Sequence, residues 1–280
     1  MAPFIFDLPE VMLLIIEHAD LPTLSALART RRHAWQVVSN YEASISAGRL
    51  NNFPIPPTTS VLSTKRVNGR RILPRLSLNT VRELQCREQR ISTMVRSEFL
   101  AANTTIPSRA RPRYLCCLER AAHLCDHISD LGCLCDGNHS LETSLRGRQA
   151  QANFIKTLPT TDLAFLSELS WIGSIGWARS MGTTINGDPD TKYKSLAFEE
   201  MVLRKGSAFL WGYALGPGEF RAHAEKQILS GADEIEDWEM GVGDQLPSLR
   251  QAVIRAFMAH KGCEFKDVWT EFDSLIVQCC

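Results

Sequence analysis

Four things are missing from this 280-residue chain: a long hydrophobic run near its start, clear strand alternation, a net charge and a familiar catalytic signature. The apolar stretch Val11–Ile16 is six residues long, follows no basic leader and has Asp7 and Glu10 before it. A membrane span needs about 20 apolar residues, and a signal core is longer than this stretch too. The Gly-x-Ser-x-Gly elbow, the Walker loop, His-Glu-x-x-His and the Rossmann glycine pattern are all absent. Elbow hydrolases, P-loop enzymes, zinc proteases of that type and dinucleotide enzymes therefore find no support. Gly241-Val242-Gly243 follows no strand and lacks the third glycine.

Lys plus Arg equals Asp plus Glu, 31 against 31, but the charges are not evenly spread. Residues 1–120 hold 17 basic and 9 acidic side chains, net +8, and residues 121–280 hold 14 and 22, net −8. Twelve of the basic residues lie between Lys65 and Arg113, against Glu83, Glu88 and Glu98. Such asymmetry suits either two complementary parts that dock or a basic face for an anionic partner. Only Phe99 and Tyr114 are aromatic from Val61 to Tyr114, so stacking platforms are scarce and nucleic-acid binding is not expected. Internal docking is the simpler expectation.

What is present is enough apolar material for a core, 44% of residues, which excludes a wholly disordered chain. The length allows one large domain or a small one followed by a larger one. Nine cysteines, an odd number without a leader, point to free thiols in a reducing compartment, cytoplasmic or nuclear. The sequons at Asn103 and Asn138 then carry no meaning.

Helical patterning runs through the whole sequence. Pro9 opens a first helix to about Ala19, followed by short helices near Thr23–Arg29 and Arg31–Ala47, the latter ending at a Gly48 cap. Residues 49–77, rich in Pro, Asn and Thr, read as a linker. Thr80 and Glu83 fit a capping box for a long helix with an arginine-rich outer side. Helices are expected near 114–131, 141–158, 163–172, 191–215, 218–231 and 249–260, with a last one carrying Phe265, Val268, Phe272 and Leu275. The 163–172 segment is apolar almost all round and should be central, with Gly173 and Gly176 allowing close helix contact. The expected fold is all-α: a small module at 1–48, a linker at 49–77 and a larger helical domain at 78–280.

The first helix has a packing problem. Six consecutive apolar residues point all round it, and a three-helix unit of about 45 residues covers one side only. The uncovered side must meet another surface. The order of residues also carries a resemblance. Phe6-Asp7-Leu8-Pro9-Glu10-Val11 through Ile15-Ile16-Glu17-His18, then Asp20-Leu21-Pro22-Thr23-Leu24, Arg31-Arg32 and Trp35, resemble the F-box, especially that of fungal proteins, over residues 4–45. The family usually places one residue between the Leu-Pro pair and the Glu; here Glu10 follows Pro9 directly, which shifts the anchor by a helical step.

The resemblance implies a three-helix module that binds the Skp adaptor of Skp–cullin–F-box ubiquitin ligases. By position, it implies Leu8 and Pro9 as the anchor, with Ile15 and Ile16 on the first helix and Leu21 and Leu24 opening the second. Trp35 matches the bulky position of the third helix. The remainder, including Leu196–Arg204 and Phe209-Leu210-Trp211, resembles the helical remainder of fungal F-box proteins and brings no activity with it. The expected role is a non-catalytic substrate receptor without cofactor or membrane, with an unknown protein target. The alternative is an all-α interaction scaffold outside any ligase, and a third possibility is an enzyme whose all-α domain holds a deep cleft.

Other clusters have plainer accounts. Cys116, Cys117, His123, Cys125, His127, Cys133, Cys135 and His139 crowd together, but only His123 and His127 have zinc-ligand spacing, so thiols are expected rather than metal. The acids from Asp233 to Glu239 around Trp238 read as a solvated helix face with one packed ring. Cys279-Cys280 is similar to the prenylated pairs of small GTPases, yet no GTPase motif is present, and two exposed thiols are expected.

Overall fold

The computed structural model describes residues 9–58, 61–63, 72–100, 106–133, 141–185, 189–240 and 247–280. It is all-α, with thirteen helices and one two-stranded ribbon among the described residues. The chain divides into two compact units, residues 1–64 with 71–86, and residues 65–70 with 87–280.

The first unit begins with α1 (Pro9–His18), α2 (Leu21–Thr30), α3 (Arg32–Asn40) and α4 (Glu42–Leu50). Pro22 sits in the first turn of α2, where its missing N–H costs nothing. Asp20 caps that turn, its Oδ1 accepting the Thr23 N–H at 2.8 Å. The end of α1 is satisfied from a distance: the Arg49 guanidinium donates to the Ile16 carbonyl at 3.0 Å and to that of Ala19. The expected single helix over 31–47 is two, broken at Tyr41. Gly48 lies inside α4 and caps nothing.

Within the segment read as a linker, β1 (Val61–Ser63) pairs antiparallel with β2 (Ile72–Pro74), Leu62 opposite Leu73, and both leucines are buried. Next comes α5 (Leu78–Val95). Its cap is Ser77, not Thr80: the Ser77 hydroxyl accepts the Thr80 N–H at 3.2 Å, and the Thr80 hydroxyl turns back to the Pro74 carbonyl at 2.6 Å. Glu42 accepts the Leu78 N–H at 2.9 Å. One core joins these pieces, built on Met12, Ile16, Leu21, Leu24, Val37, Val38, Leu50, Leu62, Val81 and Leu84.

The second unit contains α6 (Arg111–Cys133), α7 (Leu141–Thr157), α8 (Thr160–Ser180), α9 (Pro189–Lys205), α10 (Ser207–Ala214), α11 (Gly218–Glu239), α12 (Leu249–Lys261) and α13 (Val268–Cys279). Helix α8 is the centre, packed against α6, α9, α12 and α13. Its glycines act as expected: a Cβ at Gly173 would sit 3.1 Å from the Phe198 ring, and one at Gly176 would sit 2.5 Å from the Phe99 carbonyl. Within 163–172, Trp171 is exposed and Ser167 half-buried, and the rest are buried. Phe99, Phe198, Phe209, Tyr213 and Trp177 form the aromatic core beside it.

The stretch 191–215, expected as one helix, is two. Gly206 turns the chain at φ +72°, and Asp126 caps α10 by accepting the Ser207 N–H at 2.8 Å and its hydroxyl at 2.7 Å. Glycine is required there, because a Cβ would lie 2.3 Å from Asp126 Oδ1. The last helix buries Val268, Phe272 and Ile276, four apart, leaving Leu275 at the flank and Phe265 exposed.

Candidate interaction surface

Burial decides which of the expected adaptor contacts are available. Leu8 lies outside the described residues, and Pro9 is the first residue of α1. Ile16, Leu21 and Leu24 are core side chains, between 0% and 2% exposed. They hold α1 and α2 together and present nothing outward. Ile15 is half-buried.

The outward large apolar residues of the first unit are Leu14, Trp35, Tyr41, Ile72 and Leu76. Leu14 is 59% exposed, and it lies about 180° round α1 from the midpoint of Met12 and Ile16. Its exposed neighbours along that side are Glu10, Glu17 and His18. Trp35 of α3 is 57% exposed, because Ala34, Val37 and Val38 point that helix's core face elsewhere. Tyr41, at the break between α3 and α4, is 43% exposed. Leu14 was contained in the six-residue run, but the run alone did not say which of its members faces out. Nothing in the sequence marked Tyr41, since the break there follows from packing.

The second unit accounts for several charged candidates by internal pairing. Arg87 makes a two-pronged contact with Asp130 at 2.7 and 3.1 Å, both side chains buried. Arg120 does the same with Asp162 at 2.7 Å on each prong, and Arg96 reaches Glu119 at 3.0 Å. Glu200 is fully enclosed and still ionised: it accepts from Ser248 Oγ (2.9 Å), the Leu249 N–H (3.0 Å), the Arg250 N–H (3.0 Å) and Arg204 Nε (2.7 Å). Burial raises its pKa, but Arg204, Arg148 and the two N–H donors outweigh that and leave it lowered. It thus holds the start of α12. Next to it, burial wins at Glu199 and raises its pKa although Arg250 approaches at 2.5 Å. Burial also pushes Arg148 down to about 10.

Glu234, from the acidic run, takes both prongs of Arg204 at 2.6 and 2.9 Å, and the Trp238 ring packs 5.9 Å from that guanidinium. Asp233, Glu236, Asp237 and Glu239 are exposed, as a solvated face should be.

His123 is half-buried and His127 buried on α6. Burial lowers both pKa values, and the His127 ring stacks on Phe154 at 4.6 Å. Cys125 is fully buried, its thiol pushed far up by desolvation. The side chains of Cys133, Cys135 and His139 lie outside the described residues. Among the described residues no three Cys, His, Asp or Glu side chains are placed to hold a metal ion. Two clefts open at the start of α6: one of about 420 Å³ lined by Arg96, Arg111, Leu115, Cys116 and Glu119, and one of about 130 Å³ beside Tyr114. No described helix is long and apolar enough to cross a membrane.

No family model matches the chain, and no match is found among curated proteins or solved structures.

Proposed function

We propose that the chain is a non-catalytic receptor whose first unit docks on a Skp-type adaptor and whose second unit presents a protein target to a ubiquitin ligase. One observation carries this: α1 exposes Leu14 on the side opposite its core stripe, with Trp35 and Tyr41 also outward in the same small unit. Large apolar side chains left exposed on a module this small are open to a protein partner. The order of residues from Phe6 to Trp35 supports the F-box as the kind of module. Leu8 and Pro9 remain its proposed anchor, and Ile15 its half-buried neighbour. Ile16, Leu21 and Leu24 shape the surface from beneath. The receptor would act by raising the target's effective concentration near the ligase, as linked binding sites do.

The test is capture of the full chain by purified Skp adaptor, beside Leu14→Asp and Leu8→Ala/Pro9→Ala variants, with cullin added in a second step. Binding that the variants lose, with cullin recruited, supports the receptor. Adaptor binding without cullin favours the scaffold reading. A folded chain that ignores the adaptor removes the F-box reading.

A further inference from the structure

Two vicinal cysteine pairs, Cys116-Cys117 on α6 and Cys279-Cys280 at the end of α13, have no part in the proposed docking surface. All four are free thiols. Helix α13 packs against both α6 and α8. Its buried stripe is Val268, Phe272 and Ile276, and the next position at that spacing is Cys280, whose N–H bonds to the Ile276 carbonyl at 3.1 Å. On α6, Cys117 sits three residues after buried Tyr114 and four before buried Ala121, on the same inward side. Cys117 and Cys280 are each partly buried, where fully exposed thiols were expected at 279–280. A third element joins the two places. The Tyr114 hydroxyl donates to Glu168 of α8 at 2.6 Å, and the pKa of Cys280 is raised by burial first, then by Cys279, with that carboxylate adding to it. Burial raises that of Cys117 in turn, with Cys280 and then Cys116 and Cys279 adding to it.

We propose that Cys117 and Cys280 form an intramolecular disulfide by exchange with a small-molecule disulfide of the glutathione type, tying α13 to α6. One cysteine thiolate attacks a sulfur of oxidised glutathione, forming a mixed disulfide and releasing one glutathione. The second cysteine attacks the protein-side sulfur and releases the other. Two electrons pass from the two thiols to the glutathione disulfide, and the two thiol protons end on the two glutathiones. Cys116, exposed on α6, and Cys279 are bystanders. Exchange is slow at neutral pH, because burial, with neighbouring thiols adding to it, pushes Cys117 up to about 11. The rate should climb about tenfold per pH unit as the thiolate fraction grows. The bridge closes a loop of more than a hundred residues, so it raises the unfolding midpoint by roughly 5–15 °C.

The experiment uses the full reduced chain, incubated with oxidised glutathione at pH 8.5, alkylated, and digested with trypsin without reduction. The expected product is a disulfide-linked pair of peptides 114–120 and 267–280, its sulfurs assigned to Cys117 and Cys280 by fragmentation, lost on dithiothreitol treatment. Cys117→Ser and Cys280→Ser each abolish it, whereas Cys116→Ser and Cys279→Ser keep it. A thermal melt of oxidised against reduced chain gives the midpoint shift. Glutathione caps without the linked pair, dimers linked between chains, or a link assigned to Cys116 or Cys279 would each overturn the proposal. Because pairing is assigned in the parent chain, the result stands even if a serine variant folds poorly.

Discussion

Replacing Ile16 with aspartate, beside the same change at Leu14, separates the two roles that α1 can play. Ile16 is 0% exposed and packs with Met12, Leu21, Leu24 and Val37. Removing its buried side chain costs about 2–5 kcal/mol. A carboxyl in its place is surrounded by apolar side chains, with the Arg49 guanidinium nearby already held by the Ile16 and Ala19 carbonyls, and adds about 2 kcal/mol or more as a buried polar group. The sum, roughly 4–7 kcal/mol, is comparable to the whole stability of a unit of this size, about 4–12 kcal/mol at 0.05–0.15 kcal/mol per residue. Ile16→Asp should therefore unfold the first unit while the second stays folded. Leu14→Asp removes an exposed side chain and should cost about 0.5 kcal/mol or less.

Hydrogen exchange resolved along the full chain is the assay, read over residues 9–50. Ile16→Asp should strip protection there, and Leu14→Asp should leave it intact while lowering adaptor affinity by about thirtyfold, the size of a 2 kcal/mol hot spot. Retained protection in Ile16→Asp would refute the core assignment. Lost protection in Leu14→Asp would refute the outward one.

Three further outcomes follow from the second unit. Glu200→Ala removes the acceptor of the Leu249 and Arg250 N–H groups, leaving Ser248 as the cap of α12 through Gln251, and takes a buried partner from Arg204 and Arg148, so denaturant unfolding should show about 3–5 kcal/mol less stability, with exchange rising first at residues 249–252. Gly206→Ala should cost about 1–3 kcal/mol, measured the same way, because it combines a left-handed residue with a clash against Asp126. The histidines predict a pH slope. Burial holds His123 and His127 below their ordinary pKa, so the unfolded chain binds more protons below about pH 6.5 and stability falls as pH drops from there. A His123→Gln/His127→Phe double variant should flatten stability between pH 6.5 and 5; an unchanged slope would place the titration elsewhere.

Much of the fold was readable because its helices obey a period. Met12 and Ile16, or Val268 and Phe272, recur at helical spacing, and Gly173 and Gly176 mark close approach of neighbours. Breaks inside helices were not readable in the same way. Gly206 is one glycine in an otherwise helical stretch, and only Asp126, 80 residues earlier, makes it a turn. Likewise Ser77 displaced Thr80 as a cap because the Pro74 carbonyl offered the Thr80 hydroxyl a partner. Long-range hydrogen bonds chose between local options that the sequence left equal. The surface was harder still. In Val11–Ile16 every position is apolar, so the pattern that separates inside from outside is erased, and only packing distinguishes Leu14 from Ile16.

The charge asymmetry follows the same logic among the described residues. Arg87, Arg96 and Arg120 find Asp130, Glu119 and Asp162 within their own unit, so part of the arginine excess is consumed by the fold. The bridge Arg87–Asp130 is buried on both sides, where removing one partner costs about 3–5 kcal/mol and the pair itself adds little over an apolar substitute. Such a pair specifies which helices meet rather than supplying affinity for a ligand. Arg109, Arg111 and Arg113 stay exposed at the start of α6 without a stacking ring among them, and three cations in one turn attract anions in a salt-dependent way without reading a sequence. The docking proposed for the first unit rests instead on shape and apolar contact, which Leu14, Trp35 and Tyr41 offer.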